Sequence, residues 1–272
     1  MDECGIGRAM LSVSSPGVHF GSDNAAAELA REMNQYAAAQ TRTHPERFGS
    51  FACLPMSDVD ASLAEARYAM DQLGANGIVL MSNVQGVYLG DKRFWPLWQE
   101  LDQRHAVVFI HPTAPAGGEA IRLGRPYPMI EFVFDEARTV VDLLFAGVLL
   151  DFPNIRFMIS HSGGAMPVIL ERISLFYETQ SAADGRSHAR SVGSQVSQLW
   201  FDCAGTPLPT ALPTLASVVG SGRLLYGSDY CFTSPSAVAR QVKSLRAVGD
   251  RGRWLPLMAN NASQLLARDA RH

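Results

Sequence analysis

The 272-residue chain lacks most of what marks a secreted, membrane-spanning or nucleic-acid-binding protein. Its four cysteines, Cys4, Cys53, Cys203 and Cys231, are scattered with no C-x-x-C spacing. With no short secreted frame a disulfide set is not expected in a reducing compartment, and without C-x-x-C spacing a cysteine-based zinc site is disfavoured. The cysteines read instead as small buried hydrophobes, as the apolar neighbours Phe51, Ala52 and Leu54 suggest for Cys53. Cys231, two residues after Asp229, is a candidate pocket-lining residue. No basic block occurs and the net charge is −3, so the electrostatic footprint of a nucleic-acid partner is absent. Apolar runs break well before the ~20 residues that a membrane helix needs. The opening Met1-Asp2-Glu3-Cys4-Gly5 is neither basic nor apolar, unlike a secretory signal, and a cytoplasmic protein is expected. No G-x-G-x-x-G follows the first expected strand and no G-x-x-x-x-G-K-[ST] occurs, which removes the main support for a doubly wound nucleotide-binding fold.

What the chain has is 47% hydrophobic residues, ample for a large core, arranged in two alternating patterns. Short apolar runs bounded by turn residues predict strands over 6–14, 48–55, 77–82, 107–110, 156–161, 199–204 and 223–228. Between them lie amphipathic stretches that predict helices. Asp23 or Asn24 is placed to cap the first, with Ala25, Leu29, Met33, Tyr36 and Ala37 as its apolar stripe. Asp58 or Asp60 is placed to cap the second, which Gly74 ends. Further helices are expected over 94–104, 132–148, onward from Pro167, 236–247 and 260–267. Residues 112–128 read as a proline- and glycine-rich excursion, and 181–197 as a polar surface insertion. Strand and helix alternate about every 30 residues, the mark of βα units in a parallel sheet. The expectation is one domain, 1–272, of (β/α)8 TIM-barrel type, with seven strands visible where eight are usual.

Three of the strands end on side chains that carry chemistry. Val107-Val108-Phe109-Ile110 stops at His111, the run from Arg156 stops at His161 before Gly163 and Gly164, and Leu224 to Ser228 stops at Asp229. Ligands of parallel α/β folds gather at the strands' carboxyl ends, where loops converge. Imidazole nitrogen with carboxylate oxygen is the usual donor mixture of a catalytic divalent metal, so His111, His161 and Asp229 are candidate ligands. Asp202, also at a strand end, is expected to cap or orient its neighbours. His19, in the loop after the first strand, is a candidate substrate contact, and Arg172 can meet a carboxylate or form a salt bridge. His44 reads as structural, and His105, His188 and His272 as surface residues.

Phe109-Ile110-His111-Pro112, then Ser160-His161-Ser162-Gly163-Gly164-Ala165-Met166-Pro167 with Arg172-Ile173, then Tyr226-Gly227-Ser228-Asp229-Tyr230-Cys231-Phe232 resemble the amidohydrolase superfamily. The nearest branch is that of aminocarboxymuconate-semialdehyde decarboxylase and γ-resorcylate decarboxylase, which His44-Pro45-Glu46-Arg47-Phe48 also resembles. The resemblance implies a distorted (β/α)8 barrel, one zinc or manganese ion, and non-oxidative decarboxylation of an aromatic or muconate-type acid. It implies His111 and Asp229 as metal ligands, and His161 as a partner of metal-bound water or substrate that helps move protons. Asp229 would protonate the ring carbon as carbon dioxide leaves, and Phe232 would be a pocket wall. A homodimer or higher homo-oligomer is implied, with Arg172 holding the substrate carboxylate across the interface. One departure stands out: the family's H-x-H or E-x-H ligand pair is absent, and Ile6 aligns with the start of the family's second strand. A displaced start and a shortened variant both fit that pattern. A lactone or ester hydrolase, and a catalytically impaired barrel kept for binding or assembly, stay open beside the decarboxylase.

Overall fold

Most strands of the large sheet form where apolar runs are buried on both faces, and each strand of that sheet has a parallel partner. The structure, a computed structural model, describes residues 1–183, 190–247 and 254–267. The chain divides into two units, Met1–Phe157 and Met158–His272.

In the first unit β1 (Ala9–Leu11), β2 (Phe48–Cys53), β3 (Gly77–Met81) and β6 (Val107–His111) pair in that order, with Met10 opposite Gly49, Ala52 opposite Ile78 and Met81 opposite His111. Between β3 and β6 a small antiparallel hairpin, β4 (Asn83–Val84) and β5 (Val87–Tyr88), projects from the loop. All five residues of β6 are buried, and each large apolar side chain so buried is worth roughly 1.5–3 kcal/mol. Gly77 starts β3 where a Cβ would lie 2.5 Å from the Val107 carbonyl oxygen, so only glycine lets the two strands meet there.

The helix over Asp23–Thr43 differs in detail from its sequence pattern. Its cap is Ser22, whose hydroxyl accepts from the Ala25 amide, and its buried face is Ala26, Ala30, Asn34 and Ala38, while Tyr36 is exposed. Small residues four apart bring the helix close to the sheet, and bulky side chains are displaced to the flanks. Asn34 completes the docking: its side chain donates to the Cys53 carbonyl and accepts from the Cys53 amide, both at 2.9 Å. Asp58 caps the helix Val59–Asp71 as expected, accepting from the Ala61 amide at 3.0 Å. The helix Glu131–Ala146 stops at Gly147, which adopts φ 83°.

In the second unit β7 (Arg156–Ile159), which begins at the boundary, pairs with β8 (Trp200–Asp202), and β8 pairs with β9 (Leu224–Leu225). Ile159, Phe201, Leu212, Leu215, Leu224, Val242, Leu245 and Leu265 form its core. The last strand is shorter than its apolar run because the chain leaves the ladder after Leu225. The polar stretch 181–197 is not uniformly surface coil, since Val192–Val196 is helical with Val192 and Val196 buried. Residues 184–189, including His188, and His272 lie outside the described residues. No disulfide joins Cys4, Cys53, Cys203 or Cys231. Burial pushes the Cys53 and Cys203 thiols up to about 12, so these two are inert core residues as expected. Among the described residues no helix is long and apolar enough to cross a membrane.

Candidate functional site

His111 is the last residue of β6, and its carbonyl accepts from the Ser82 amide at 2.8 Å, which fixes the backbone. The ring packs edge-on between Phe109 and Phe132, each with centroids 6.3 Å away. Nδ1 lies 2.8 Å from the Pro112 carbonyl oxygen, which can only accept, so Nδ1 carries the proton and Nε2 the lone pair. That is how a carbonyl sets the tautomer of a metal-binding histidine. Nε2 faces Ser14 Oγ at 3.3 Å, and the neighbouring hydroxyls of Ser15 and Thr113 are 2.9 Å apart.

His19 lies elsewhere in the first unit. It lines a cavity of about 280 Å³ together with Val18, Leu54, Met81, Gln85 and Thr113. Asp23 accepts from its Nε2 at 3.1 Å, while the Gly21 amide at 3.3 Å and Gln85 Nε2 at 2.8 Å donate to Nδ1. The Asp23 carboxyl is held below its ordinary value, first by the Ser57 hydroxyl and then by His19.

A group that the sequence pattern did not single out lies beneath these loops. Asp135, fully buried on the helix Glu131–Ala146, accepts from Ser82 Oγ, Tyr88 OH and Asn83 Nδ2, the last at 2.9 Å. Ser82 Oγ in turn accepts from the Thr113 amide, two residues past His111, at 2.9 Å. Asn83 Oδ1 accepts from the Gly86 amide at 2.8 Å. One buried carboxylate thus ties the loop after β3 to the loop after β6. Burial first, and then the Asp135 carboxylate, push the Tyr88 phenol above its ordinary value. The only sequence signal was an acid inside the apolar run Phe132-Val133-Phe134-Asp135.

In the second unit His161 and Asp229 both follow strand ends, and both have left-handed backbones, φ 47° and φ 52°. Ser162 at φ 58° continues the turn after His161. Asp202, the last residue of β8 and buried, accepts from the His161 amide at 3.1 Å and the Ala204 amide at 2.9 Å through one oxygen. This is the capping role expected of it. Gly227 passes so close that a Cβ there would sit 2.8 Å from the Asp202 carboxyl. Burial raises the Asp202 carboxyl above its usual value; the Asp229 charge adds to that, and His161 opposes it. Thr233 ties down Asp229, its amide donating to the Asp229 carbonyl at 2.7 Å and its hydroxyl to Oδ2 at 3.3 Å.

Phe232 is 71% exposed, with Tyr230 and Cys231 exposed beside it. Arg172 stands on the outer face of the helix Met166–Ala183, its guanidinium 5.2 Å from the Phe176 ring centroid. Within the second unit, then, Asp202 brings His161 and Asp229 into one electrostatic group, whereas Arg172 and Phe232 are surface residues.

The family model described as Amidohydrolase matches residues 4–263. The 6-methylsalicylic acid decarboxylase acuB of Aspergillus aculeatus is 35% identical over 268 residues, a match spanning 95% of this chain and 81% of that protein. A crystal structure of an amidohydrolase II superposes with a TM-score of 0.88 at 28% identity, over 98% of this chain and 86% of that one. The dihydroxybenzoic acid decarboxylase of Polaromonas sp. JS666, solved with manganese and 2-nitroresorcinol, shares the fold with a TM-score of 0.86 at 22% identity, over 98% and 83% of the two chains. The fold is therefore (β/α)8 TIM-barrel-like, with seven parallel strands among the described residues.

Proposed function

The chain belongs to the amidohydrolase family, and from that premise we propose that it is a metal-dependent, non-oxidative decarboxylase of an aromatic or muconate-type carboxylic acid. What carries the reading is the likeness, sustained along nearly the whole chain, to a 6-methylsalicylic acid decarboxylase. A divalent ion, manganese or zinc, is held in this reading by His111, His161 and Asp229. The donor chemistry fits, since His111 has its Nδ1 committed to a carbonyl and its lone pair on Nε2, and a carboxylate beside imidazoles suits either ion. When bound, such an ion supplies positive charge that offsets the negative charge of substrate oxygens.

The chain's own residues do the rest. Asp229 gives a proton to the ring carbon that bears the carboxylate; the carbon–carbon bond breaks, its electron pair stays on the ring, and carbon dioxide departs. His161, with its amide anchored on Asp202, orients the substrate and returns a proton to Asp229. The net reaction consumes one proton per turnover. Phe232 forms a pocket wall, His19 contacts the substrate, and Arg172 meets the substrate carboxylate across a homo-oligomer interface. An outer helix face with Val168, Leu175 and Phe176 exposed around Arg172 supports that interface. Residues 1–272 act as one domain, in the cytoplasm.

The test is carbon dioxide release from 6-methylsalicylate and 2,6-dihydroxybenzoate by protein loaded with manganese or zinc, run in deuterated water. Turnover with one deuterium at the vacated carbon is expected. Hydrolysis of lactones or esters without decarboxylation would transfer the chain to the hydrolase reading. Bound metal without either reaction, or no metal at all, would leave the non-catalytic barrel.

A further inference from the structure

We propose that Ser14 is a further protein donor to the metal ion, an inference that rests on the reading above. Ser14 sits in the corner after β1, where its carbonyl accepts from the Gly17 amide at 2.9 Å and closes a tight turn. Its Oγ lies 3.3 Å from His111 Nε2. That nitrogen bears the lone pair, because Nδ1 donates to Pro112. Two donors each ~2.1 Å from one first-row ion are roughly 3.0–3.4 Å apart in octahedral and tetrahedral sites, so the hydroxyl already has the spacing of an adjacent ligand. The corner is also pinned: Ser15 Oγ meets Thr113 Oγ1 at 2.9 Å, and the Thr113 amide is held by Ser82. Two consecutive serines are thus clamped against the segment that follows His111.

The donor type has a consequence for metal choice. A hydroxyl is a hard, neutral oxygen, which favours manganese over the softer zinc. It also places an oxygen beside His111 in a sequence that carries neither H-x-H nor E-x-H.

The experiment is metal titration of the full chain, reading free manganese by electron paramagnetic resonance and zinc by competition with a chelating dye. Ser14→Ala should weaken manganese binding at least ~10-fold, the scale at which losing even an outer partner is felt, and zinc binding less. Ser14→Thr, which keeps the hydroxyl, should restore it. Ser14→Cys loaded with cobalt should show a thiolate-to-cobalt charge-transfer band that the wild-type chain lacks, since only a ligand atom gives one. Equal manganese affinity in wild type and Ser14→Ala overturns the inference while leaving the metal centre standing. Weakened binding without a cobalt–thiolate band in Ser14→Cys overturns direct donation. A wild-type chain that binds no metal overturns this inference and the decarboxylase reading together. Thermal melts of each variant confirm that it is folded.

Discussion

Replacing Asp135 with alanine tests the buried network that holds the loops of the first unit. Alanine removes one acceptor group and strands three donors, Ser82 Oγ, Asn83 Nδ2 and Tyr88 OH, in or near the interior. Each buried donor left without a partner costs roughly 1–3 kcal/mol. The three do not add in full, because they share one acceptor and Tyr88 is only half-buried, so its hydroxyl can turn to water. About 3–5 kcal/mol is the resulting loss, the lower part of the range that three full penalties would span. At ~2–4 °C per kcal/mol for a chain of this size, the melting temperature should fall by roughly 6–20 °C. Calorimetry on metal-free protein keeps ligand linkage out of the measurement. Asp135→Asn, which keeps one acceptor oxygen and the volume, should lose less. Hydrogen exchange should quicken at the amides of Thr113 and Gly86, which the network holds through Ser82 and Asn83. A melting temperature for Asp135→Ala within ~2 °C of wild type would refute the reasoning.

His111→Ala should lower metal affinity by more than the roughly 10–100-fold that outer partners contribute, measured by competition titration; unchanged stoichiometry would remove His111 from the centre. His161→Gly exchanges a left-handed residue for one that adopts φ > 0 freely, so lost strain and added unfolded-state entropy, each about 1 kcal/mol, should nearly cancel in a melt. Its decarboxylation should fall at least ~100-fold, and a variant as active as wild type would dismiss His161 from proton transfer. The Asp71 carboxyl is held below its ordinary value first by Arg104, and Glu100 first by Arg67. Depressed values mean stability that is present above the unfolded carboxylate range, near ~4, and lost as pH falls through the folded values. Arg104→Ala should therefore flatten the acid side of the melting-temperature profile, and a slope identical to wild type would show that the pairing carries no linkage.

The strand ends were legible because a strand buried on both faces leaves a continuous apolar run, and the residue that breaks the run is the one at the mouth. His111 is such a break, the last residue of a strand with every position buried. The run before Asp229 overstates its strand: only Leu224 and Leu225 pair, and Asp229 stands in a left-handed turn beyond them. Helix faces were read less well. In Asp23–Thr43 the three-and-four spacing puts the apolar stripe on Ala25, Leu29, Met33, Tyr36 and Ala37, but the docking face is Ala26, Ala30, Asn34 and Ala38, small enough for close approach. Asp135 was illegible for a different reason. Its partners lie about 50 positions away, and a lone acid in a helix looks like a solvated residue until the fold brings Ser82, Asn83 and Tyr88 to it.

Local rules of backbone preference fail at the candidate residues of the second unit, as they also do at Gln85, His105 and Leu123 in the first. His161, Ser162 and Asp229 hold left-handed backbones, each costing on the order of 1–3 kcal/mol for a residue with a side chain. Such strain persists only where the surroundings over-determine it. Asp202 supplies part of that determination, accepting the amide of His161 from the strand beside β7. Its other neighbouring strand, β9, leads into Gly227, which must lack a side chain to pass the same carboxyl. Gly163, at φ 76°, is likewise hemmed in, since a Cβ there would meet Met166 and the Phe201 ring at 3.1 Å. A carboxylate so buried is itself disfavoured when ionised, so the arrangement adds a second energetic penalty to the first. Glycine at the two strained turns would relieve strain with little net gain in stability, and an apolar residue at 202 would leave the His161 and Ala204 amides without their acceptor. What stands there is an imidazole and two acids, held at a cost in backbone strain and in carboxylate burial, as the decarboxylase reading requires of groups that must keep one orientation.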